Sequence, residues 1–434
     1  MSTDPKDGRS AYFNKLNKNI GAEVIPLLLI RHKMSNLLEW LHKPNLSDSV
    51  VQTLSKILYG TISIQLPNNH IHNFTGKFPG PNADIHIKTW QVINDYIAKG
   101  SIGFGEAYIN ALWDTTNLPN LMHLITINEP VLGRYYQGNI FYGALYKFQH
   151  ILKFNSKNGS NTNIAYHYYL GNEFYSLWLD KSMTYSGALF AGNENISLEE
   201  AQKAKYDRII TKLDIKSGEL VLDIGCGFGA FAEFLAKKDV NVLAITLSEA
   251  QAQFATERIV KNNMQKNVNI RLLDYRNITG IFDHIVSIGM FEHVGKAYWP
   301  IYFRKIATHL KKGGTAMIQT IVMDETPFLE ESRNASGFLQ SHIFPGSFLP
   351  SHNSFMDAAK RMGLECVESF AFGKDYAVTL EHWLSRFDSQ LPQIKKLGFD
   401  EKFVRMWRFY FCYARTGFLS GRINLVQFKL RHHS

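Results

Sequence analysis

The feature that most constrains this chain is a glycine-rich loop that follows a short apolar segment. Residues 221–230 read VLDIGCGFGA, with Gly225, Gly227 and Gly229 on alternate positions after Asp223. Glycine lacks a Cβ atom, so the backbone of such a loop can turn sharply and lie close to a ligand. In open α/β sheets, ligands bind where a strand ends and the next helix begins. The loop therefore predicts a site for a large, partly adenosine-like cofactor.

Strand-like and helix-like segments alternate through the second part of the chain. Helical periodicity is clear, for example, at 249–263. The segments that read as strands are 220–224, 241–246, 269–273, 284–288, 314–320, 365–370 and 423–430. We expect the last of them to lie at an edge. Alternation of this kind predicts an α/β fold with a doubly wound, mostly parallel, seven-stranded Rossmann-like sheet.

The first part of the chain has a different pattern. Strand-like alternation occurs at 62–66 and 85–88, and helical segments flank it near 50–58 and 90–99. The segment NSKNGSNTN at 155–163 is poor in apolar residues and has the composition of a linker. We therefore expect a smaller α+β domain at 1–152, a linker at 153–163 and an α/β domain at 164–434.

The composition limits the class of protein and its partners. The formal net charge of +9 points to nucleic acid or an anionic membrane surface. The chain carries no nucleic-acid-binding motif, so membrane contact and a merely solvated basic face stay open. The longest early apolar run, at 24–30, is far shorter than the roughly 20 residues of a spanning helix. The three widely spaced cysteines give neither a disulfide framework nor a metal site, which fits a reducing cytosol.

The loop alone fits two cofactors. Gly225, Gly227 and Ala230 also match the dinucleotide fingerprint, which needs a carboxylate after the second strand. Here that strand ends in hydroxyl residues, with Ser248 expected to cap a helix that starts at Glu249. The Asp223 carboxylate would repel a pyrophosphate and suits an ammonium or sulfonium group. These residues favour S-adenosylmethionine over a dinucleotide.

Several further motifs occur in a fixed order. They are HYYLGN (167–172), MTYSGA (183–188), the glycine loop, TLSEAQ (246–251), DYR (274–276), GMFEHVG (289–295), IFP (343–345) and FGKDY (372–376). Over about 164–430 this pattern resembles the cyclopropane-fatty-acyl-phospholipid synthases and the related mycolic-acid methyltransferases. The resemblance implies a class I methyltransferase fold. GSIGFGEAY (100–108) and the Trp113-Asp114 pair resemble the lipid-binding domain that precedes it in bacterial members.

The resemblance also implies a reaction. A cis double bond of an unsaturated phospholipid acyl chain takes the methyl group of S-adenosylmethionine, a carbocation forms, and loss of a proton closes a cyclopropane ring. A bound bicarbonate ion is the base in this family. Three alternatives stay open: a methylene- or methyl-branched product, a small-molecule O- or N-methyltransferase, and a non-catalytic lipid-binding protein. The family further implies a cytoplasmic protein, peripherally associated with the inner face of the membrane, and a homodimer.

The matched positions supply the candidate site residues. The catalytic and bicarbonate set is Cys226, through its backbone N–H, with Glu292, Gln319, Ile321 and Tyr376. The cofactor set is Tyr185, Ser186, Asp223, Gly225, Gly227, Thr246, Ser248, Gln251, Tyr275 and Arg276. Aromatic faces stabilise cations, and for a substrate carbocation the candidates are Tyr168 and Phe291, with Tyr185 and Tyr376. No metal site is expected.

Two positions depart from the family pattern. Many members have histidine where this chain has Gln319, and aspartate is commoner than Tyr169. A glutamine donates a hydrogen bond but carries neither a proton nor a charge. The first departure bears on how tightly bicarbonate is held and on whether ring closure follows methylation.

Overall fold

The computed structural model describes residues 46–132, 170–325, 338–344 and 346–433. The chain divides into two compact units, Met1–Lys56 and Ile57–Ser434. In the first unit, the structure describes helix α1 (Leu46–Leu54). Four features named above lie outside the described residues: the apolar run at 24–30, the expected linker at 153–163, Tyr168 and Tyr169.

A four-stranded sheet opens the second unit. Its elements in chain order are β1 (Tyr59–Gln65), β2 (Ile71–Thr75), β3 (Phe78–Ile87), α2 (Gln91–Lys99), α3 (Ser101–Ile109), β4 (Trp113–Asp114), α4 (Leu118–Ile127) and α5 (Glu129–Leu132). The strand order is β2-β1-β3-β4, and β1 and β3 run parallel. Strand β1 alternates between buried and more exposed residues, because one face of the sheet packs on apolar side chains. The predicted α+β character of this region is confirmed.

The larger sheet contains seven strands, alternating with helices. The elements are α6 (Asn172–Ser176), α7 (Leu198–Leu213), β5 (Leu220–Ile224), α8 (Ala230–Ala236), β6 (Asn241–Thr246), α9 (Glu249–Lys261), β7 (Val268–Leu272), β8 (Phe282–Ile288), α10 (Trp299–His309), β9 (Leu310–Met323), α11 (Phe338–His342), α12 (His352–Arg361), β10 (Leu364–Ala371), α13 (Gly373–Ser389), α14 (Leu391–Lys396), α15 (Glu401–Leu419) and β11 (Ile423–His432). The strand order is β10-β11-β9-β8-β5-β6-β7. All pairs are parallel except those of β11, so the predicted doubly wound fold is confirmed.

The expected edge position of the last strand is wrong. Strand β11 pairs antiparallel with β9 on one side and with β10 on the other. Four consecutive residues, 425–428, are buried, as expected for a strand covered on both faces. The polar Gln427 is tolerated there because its amide is hydrogen-bonded inside the sheet. The edge strands are β10 and β7.

Apolar side chains cover both faces of the large sheet. One core cluster includes Ile285, Phe303 and Phe355, and it joins β8 to α10 and α12. The other includes Ile209 and Phe231, and it packs α7 and α8 on the opposite face. Two such layers leave the carboxyl ends of the parallel strands as the open edge where a ligand can bind.

The arginines of α15 are paired within the protein. Arg405 is buried, donates to the backbone carbonyl of Trp113 at 2.8 Å, and forms an ion pair with Asp114 at 2.7 Å. Arg408 pairs with Asp388, and Arg415 pairs with Glu381. Helix α15 is therefore a core helix whose charged edge is paired with neighbouring elements. None of the helices in the described ranges is long and apolar enough to cross a bilayer.

Candidate active site

The glycine loop between β5 and α8 adopts left-handed backbone angles. At Gly225 (φ 81°) a Cβ atom would lie 2.9 Å from Cβ of Met290, and at Gly229 (φ 78°) 2.8 Å from Cβ of Ala255. These two glycines allow close backbone packing. At Gly227 (φ 53°) the nearest atom to a Cβ would be Nε2 of Gln251, 4.0 Å away. The space beside Gly227 is therefore open to a ligand.

Asp223 is the penultimate residue of β5, just before this loop. Its side chain is buried, and among the residues that the structure describes its Oδ2 atom has no hydrogen-bond partner. Burial raises the pKa of this carboxyl group to about 7. A buried carboxylate is costly unless it is paired. A cationic group of a ligand would satisfy it, which fits the ammonium of S-adenosylmethionine.

Cys226 lies inside the loop, and its backbone is already engaged. Its N–H donates to the Ile245 carbonyl at 3.0 Å, as does that of Gly225 at 2.9 Å. In this structure the Cys226 N–H is thus engaged with β6, and its role toward an anion stays a prediction. Burial raises the pKa of the Cys226 thiol well above its usual range. The thiol is neutral at neutral pH and is not activated as a nucleophile.

A second polar group follows β6. Ser248 caps α9 by accepting from the Gln251 N–H at 3.3 Å, so the expected cap and helix start are confirmed. The Thr246 hydroxyl donates to Oε1 of Gln251 at 2.9 Å. All three side chains are buried. Because Oε1 of Gln251 faces Thr246, its Nε2 donor faces the loop at Gly227.

Glu292 lies in a single 3-10 turn after β8. Its Oε1 atom accepts a hydrogen bond from the Ile321 backbone N–H at 2.7 Å. Its Oε2 atom is buried and has no partner within the described part of the chain. Burial raises the pKa of this carboxyl group to about 7, and the hydrogen bond from Ile321 acts in the opposite direction. The Ile321 N–H is thus used by Glu292 itself.

Gln319 lies on β9, two residues before Ile321. Its side chain is fully buried, and its backbone carbonyl accepts from the Gly289 N–H at 2.9 Å. Oε1 of Gln319 accepts from Nε2 of Gln427 at 3.0 Å. No described residue accepts from its own Nε2. Among the residues that the structure describes, Oε2 of Glu292 and Nε2 of Gln319 are thus both buried without a partner near the ends of β8 and β9.

Tyr376 enters the site because its neighbour is a glycine. A Cβ atom on Gly187 would lie 2.7 Å from Cγ of Tyr376, so only glycine leaves room for this ring. The Tyr185 hydroxyl lies 3.0 Å from that of Tyr410. Burial raises the pKa of Tyr185 well above its usual range, and Tyr410 and Tyr376 are among the neighbours that add to the shift. The structure therefore places Tyr185 near Tyr376 and Tyr410.

Two residues of α7 hold Ser186 and were not predicted from the sequence. Nζ of Lys205 donates to Oγ of Ser186 and to Oε1 of Gln202, both at 2.6 Å. Nε2 of Gln202 donates to the Ser186 carbonyl at 2.8 Å. Lys205 is fully buried, and burial lowers its pKa to about 7. Polar residues three positions apart on the buried face of a helix are the signal that could have identified this pair.

Three other predicted residues have structural partners. Phe291 is fully buried in the core, with its ring centroid 5.0–5.3 Å from those of four aromatic residues, and packing alone accounts for it. The largely buried Tyr275 packs edge-to-face on Tyr302. The Arg276 guanidinium is held by the Asp274 carboxylate through two parallel hydrogen bonds.

Comparison with known proteins agrees with this geometry. Residues 155–428 match the family model described as mycolic acid cyclopropane synthetase. The chain is 32% identical to the tuberculostearic acid methyltransferase of Mycobacterium tuberculosis, over 76% of this chain and 79% of that protein. It is 33% identical to the cyclopropane-fatty-acyl-phospholipid synthase of Escherichia coli, over 80% and 87% of the two chains.

A solved structure extends the likeness to three dimensions. A mycolic acid cyclopropane synthase, crystallised with S-adenosylhomocysteine and CTAB, is 29% identical and gives a TM-score of 0.58. The match covers 62% of this chain and 97% of that one. The resemblance found in the sequence and the class I methyltransferase fold are both confirmed.

Proposed function

This chain belongs to the mycolic acid cyclopropane synthetase family, and on that premise we propose that it makes cyclopropane fatty acids. It would transfer a methylene unit from S-adenosylmethionine to the cis double bond of an unsaturated phospholipid acyl chain. The observation that carries the proposal is a pair of unsatisfied carboxyl oxygens, Oδ2 of Asp223 and Oε2 of Glu292, among the described residues. They belong to the neighbouring strand ends of β5 and β8. The Asp223 oxygen suits the cationic methyl donor. The Glu292 oxygen suits a bound base that removes the proton.

The donor half of the site is formed by the glycine loop and β6. S-adenosylmethionine supplies a methyl group on a sulfonium, which is electrophilic without further activation. Asp223 pairs with the ammonium group, Gly227 leaves room for the ligand, and Nε2 of Gln251 donates to it. Tyr185, Ser186, Thr246, Ser248, Tyr275 and Arg276 complete the proposed cofactor site.

The acceptor half must position a weak nucleophile and exclude water. Tyr376 presents a buried and Tyr185 a partly buried aromatic ring, and each such ring stabilises a cation by about 0.5–2 kcal/mol. Glu292 holds a proton near neutral pH because of its raised pKa. Nε2 of Gln319 is a buried donor, and both groups suit a bound bicarbonate, which would supply the base. Cys226 and Ile321 border this half of the site.

The proposed substrate lies in a membrane, and the chain is basic. A net charge of +9 favours contact with an anionic surface. The proposal includes lipid binding by 1–152, a linker at 153–163, catalysis by 164–434, and a cytoplasmic homodimer at the inner face of the membrane. The relative named cyclopropane-fatty-acyl-phospholipid synthase supports a phospholipid substrate.

A methyl- or methylene-branched product is the second candidate. The relative named tuberculostearic acid methyltransferase favours it, and Gln319 in place of the histidine of many members fits either product. Expression in a host that lacks such lipids, followed by mass spectrometry of its fatty acids, separates the two. The ring and the methylene branch are isomers that fragment differently after ozonolysis. A host with an unchanged fatty-acid profile would contradict both candidates.

A test with purified protein separates the remaining alternatives. The proposal expects consumption of S-adenosylmethionine only when vesicles of cis-unsaturated phospholipids are present. Turnover with small soluble amines or phenols would instead indicate an O- or N-methyltransferase. Vesicle binding without any consumption would indicate a non-catalytic lipid-binding protein.

A further inference from the structure

We infer that Arg208 and Gln427 are positioning residues that fix the direction of the Gln319 amide, so that Gln319 offers the active site N–H donors and never its carbonyl. The inference rests on the proposed function, since the site it describes is the same. It concerns two residues that neither the motifs nor the comparisons single out. The three side chains lie on α7, β11 and β9 and form one continuous chain of hydrogen bonds.

The chain begins at a group that can only donate. The Arg208 guanidinium donates to Oε1 of Gln427. A guanidinium has five donors and no acceptor, so Gln427 must turn its oxygen toward Arg208. The amino group of Gln427 then faces the opposite way, and it donates to Oε1 of Gln319 at 3.0 Å. Gln319 must in turn direct its own amino group away from Gln427.

Burial makes this order obligatory. Gln319 and Gln427 have exposed fractions of 0% and 1%, so water cannot replace either partner. They face each other across the antiparallel pair of β9 and β11, in direct register. Reversing either amide would oppose two donors or two acceptors, and an unsatisfied buried polar group is unfavourable.

Arg208 is itself firmly held at the far end. Its guanidinium donates to Oε1 of Glu368 at 2.7 Å and lies 3.9 Å from the centroid of the Phe370 ring. Nζ of Lys212 shares the same Glu368 oxygen at 3.0 Å. The planar guanidinium is therefore fixed on two sides. The fixed guanidinium determines the orientation of the Gln427 amide, which in turn determines that of the Gln319 amide.

The terminal donor is the feature that points to a ligand. Nε2 of Gln319 is buried, and no acceptor for it occurs in the described ranges. An acceptor oxygen, such as one of an oxyanion, would satisfy it. A histidine held by the same Gln427 donor would also present an N–H, but it could take up a further proton and become charged. Glutamine held by this chain presents a donor only.

The decisive variant is Gln427→Glu, which keeps the shape and reverses the polarity. A carboxylate at 427 accepts from Arg208 and presents a second acceptor to Gln319. The Gln319 amide must then rotate and turn its oxygen toward the site. We expect the Kd for bicarbonate, titrated calorimetrically with S-adenosylhomocysteine bound, to rise about tenfold or more, as expected for a lost hydrogen bond to an anion. The Kd for S-adenosylhomocysteine alone should not change.

Two further variants separate this role from general damage to the fold. Asn424→Asp makes the same amide-to-acid change on the same strand, where the side-chain oxygen accepts from the Gly373 N–H and an aspartate oxygen can do the same. It should bind bicarbonate like the natural protein. Arg208→Lys retains a donor-only group and should restore most of the affinity that Arg208→Gln loses.

The outcomes distinguish the inference from the proposed function. Bicarbonate binding that is unchanged in Gln427→Glu, with turnover on vesicles intact, would overturn the inference and leave the function standing. Loss in Asn424→Asp equal to that in Gln427→Glu would also overturn it. Weaker bicarbonate binding in the variants of Arg208 and Gln427, but not in Asn424→Asp, would support the inference. If that protein never modified lipid, the proposed function would still be refuted.

Discussion

Oε1 of Glu292 lies 2.7 Å from the backbone nitrogen of Ile321 and accepts its hydrogen bond. This contact joins the turn after β8 to the end of β9. It also leaves Oε2 of the same carboxyl group buried without a partner among the residues the structure covers. One oxygen is structural and the other is available for chemistry. The two roles lead to different predictions for the same residue.

The first prediction concerns turnover in Glu292→Gln. The amide oxygen can keep the hydrogen bond from Ile321, while the remaining oxygen becomes an amino group that holds no titratable proton. We expect normal binding of S-adenosylmethionine by calorimetry and a fall in turnover of roughly 100-fold or more, typical of a lost acid–base group. Turnover at the natural rate would remove Glu292 from the proposed bicarbonate site.

The second prediction concerns stability in the same variant. The pKa of Glu292 is about 7 in the folded protein, above the usual value for glutamate, because the group is buried. The stability linked to its proton is therefore complete at acid pH and is lost as pH rises through 7. We compare the melting temperatures of Glu292→Gln and the natural protein, both without ligands. The difference in favour of Glu292→Gln should be larger at pH 8 than at pH 4. Identical pH dependence of the two melting curves would contradict this.

Cofactor binding should depend on pH through Asp223. The carboxyl group has a pKa of about 7 without ligand, and an ammonium group requires its ionised form. Affinity for S-adenosylmethionine should therefore rise with pH up to 7, by at most about tenfold per unit, and then level off. Calorimetry in buffers of different ionisation enthalpy should show proton release below pH 7.

Asp223→Asn is the matched control for this prediction. It should bind the cofactor more weakly and without proton release at that position. If the natural protein bound the cofactor equally well at pH 5.5 and pH 8, with no proton released, Asp223 would not be the partner of the ammonium group.

Much of the fold could be predicted because its signals are local. The strand, acidic residue and glycines at 221–229 lie within one segment, and the cap at Ser248 lies next to the helix it starts. The position of β11 depends instead on which strands it pairs with, and its own sequence does not record that. A polar Gln427 indicates exposure until its partner, 108 residues earlier on β9, is known.

The site could be predicted in its residues and only partly in its contacts. Family motifs gave Glu292, Gln319 and Tyr376, and the structure brings the first two to neighbouring strand ends. The motifs could not show that the Cys226 N–H is used by Ile245, since that contact joins the glycine loop to β6. The role of Lys205 could not be predicted, because a lysine in a polar helix is expected to be exposed. Only the tertiary packing buries it.

Gln319→His tests the most visible departure from the family. An imidazole at 319 would accept from Nε2 of Gln427 through one ring nitrogen and carry its proton on the other. The site would keep a donor and gain a group that can be charged. We expect activity to persist and the product to shift toward the cyclopropane if the natural protein makes a mixture, as measured by mass spectrometry after ozonolysis. The same product at the same rate would show that Gln319 and histidine are equivalent here.

Lys205→Met should weaken cofactor binding without acting on the chemistry. Nζ of Lys205 holds Oγ of Ser186 at 2.6 Å, and methionine fills similar space without donating. Leaving buried acceptors unpaired costs about 1–3 kcal/mol, so the Kd for S-adenosylmethionine should rise about tenfold. Turnover at saturating cofactor should change much less.

Lys203→Met provides the control on the same helix, because Lys203 is exposed. It should match the natural protein in both cofactor affinity and turnover. A Lys205→Met protein with a normal melting temperature and a normal Kd for the cofactor would show that the hydrogen bond from Lys205 to Ser186 is not needed for cofactor binding. A fall in turnover at saturating cofactor, with an unchanged Kd, would show that Lys205 acts in the reaction and not in cofactor binding.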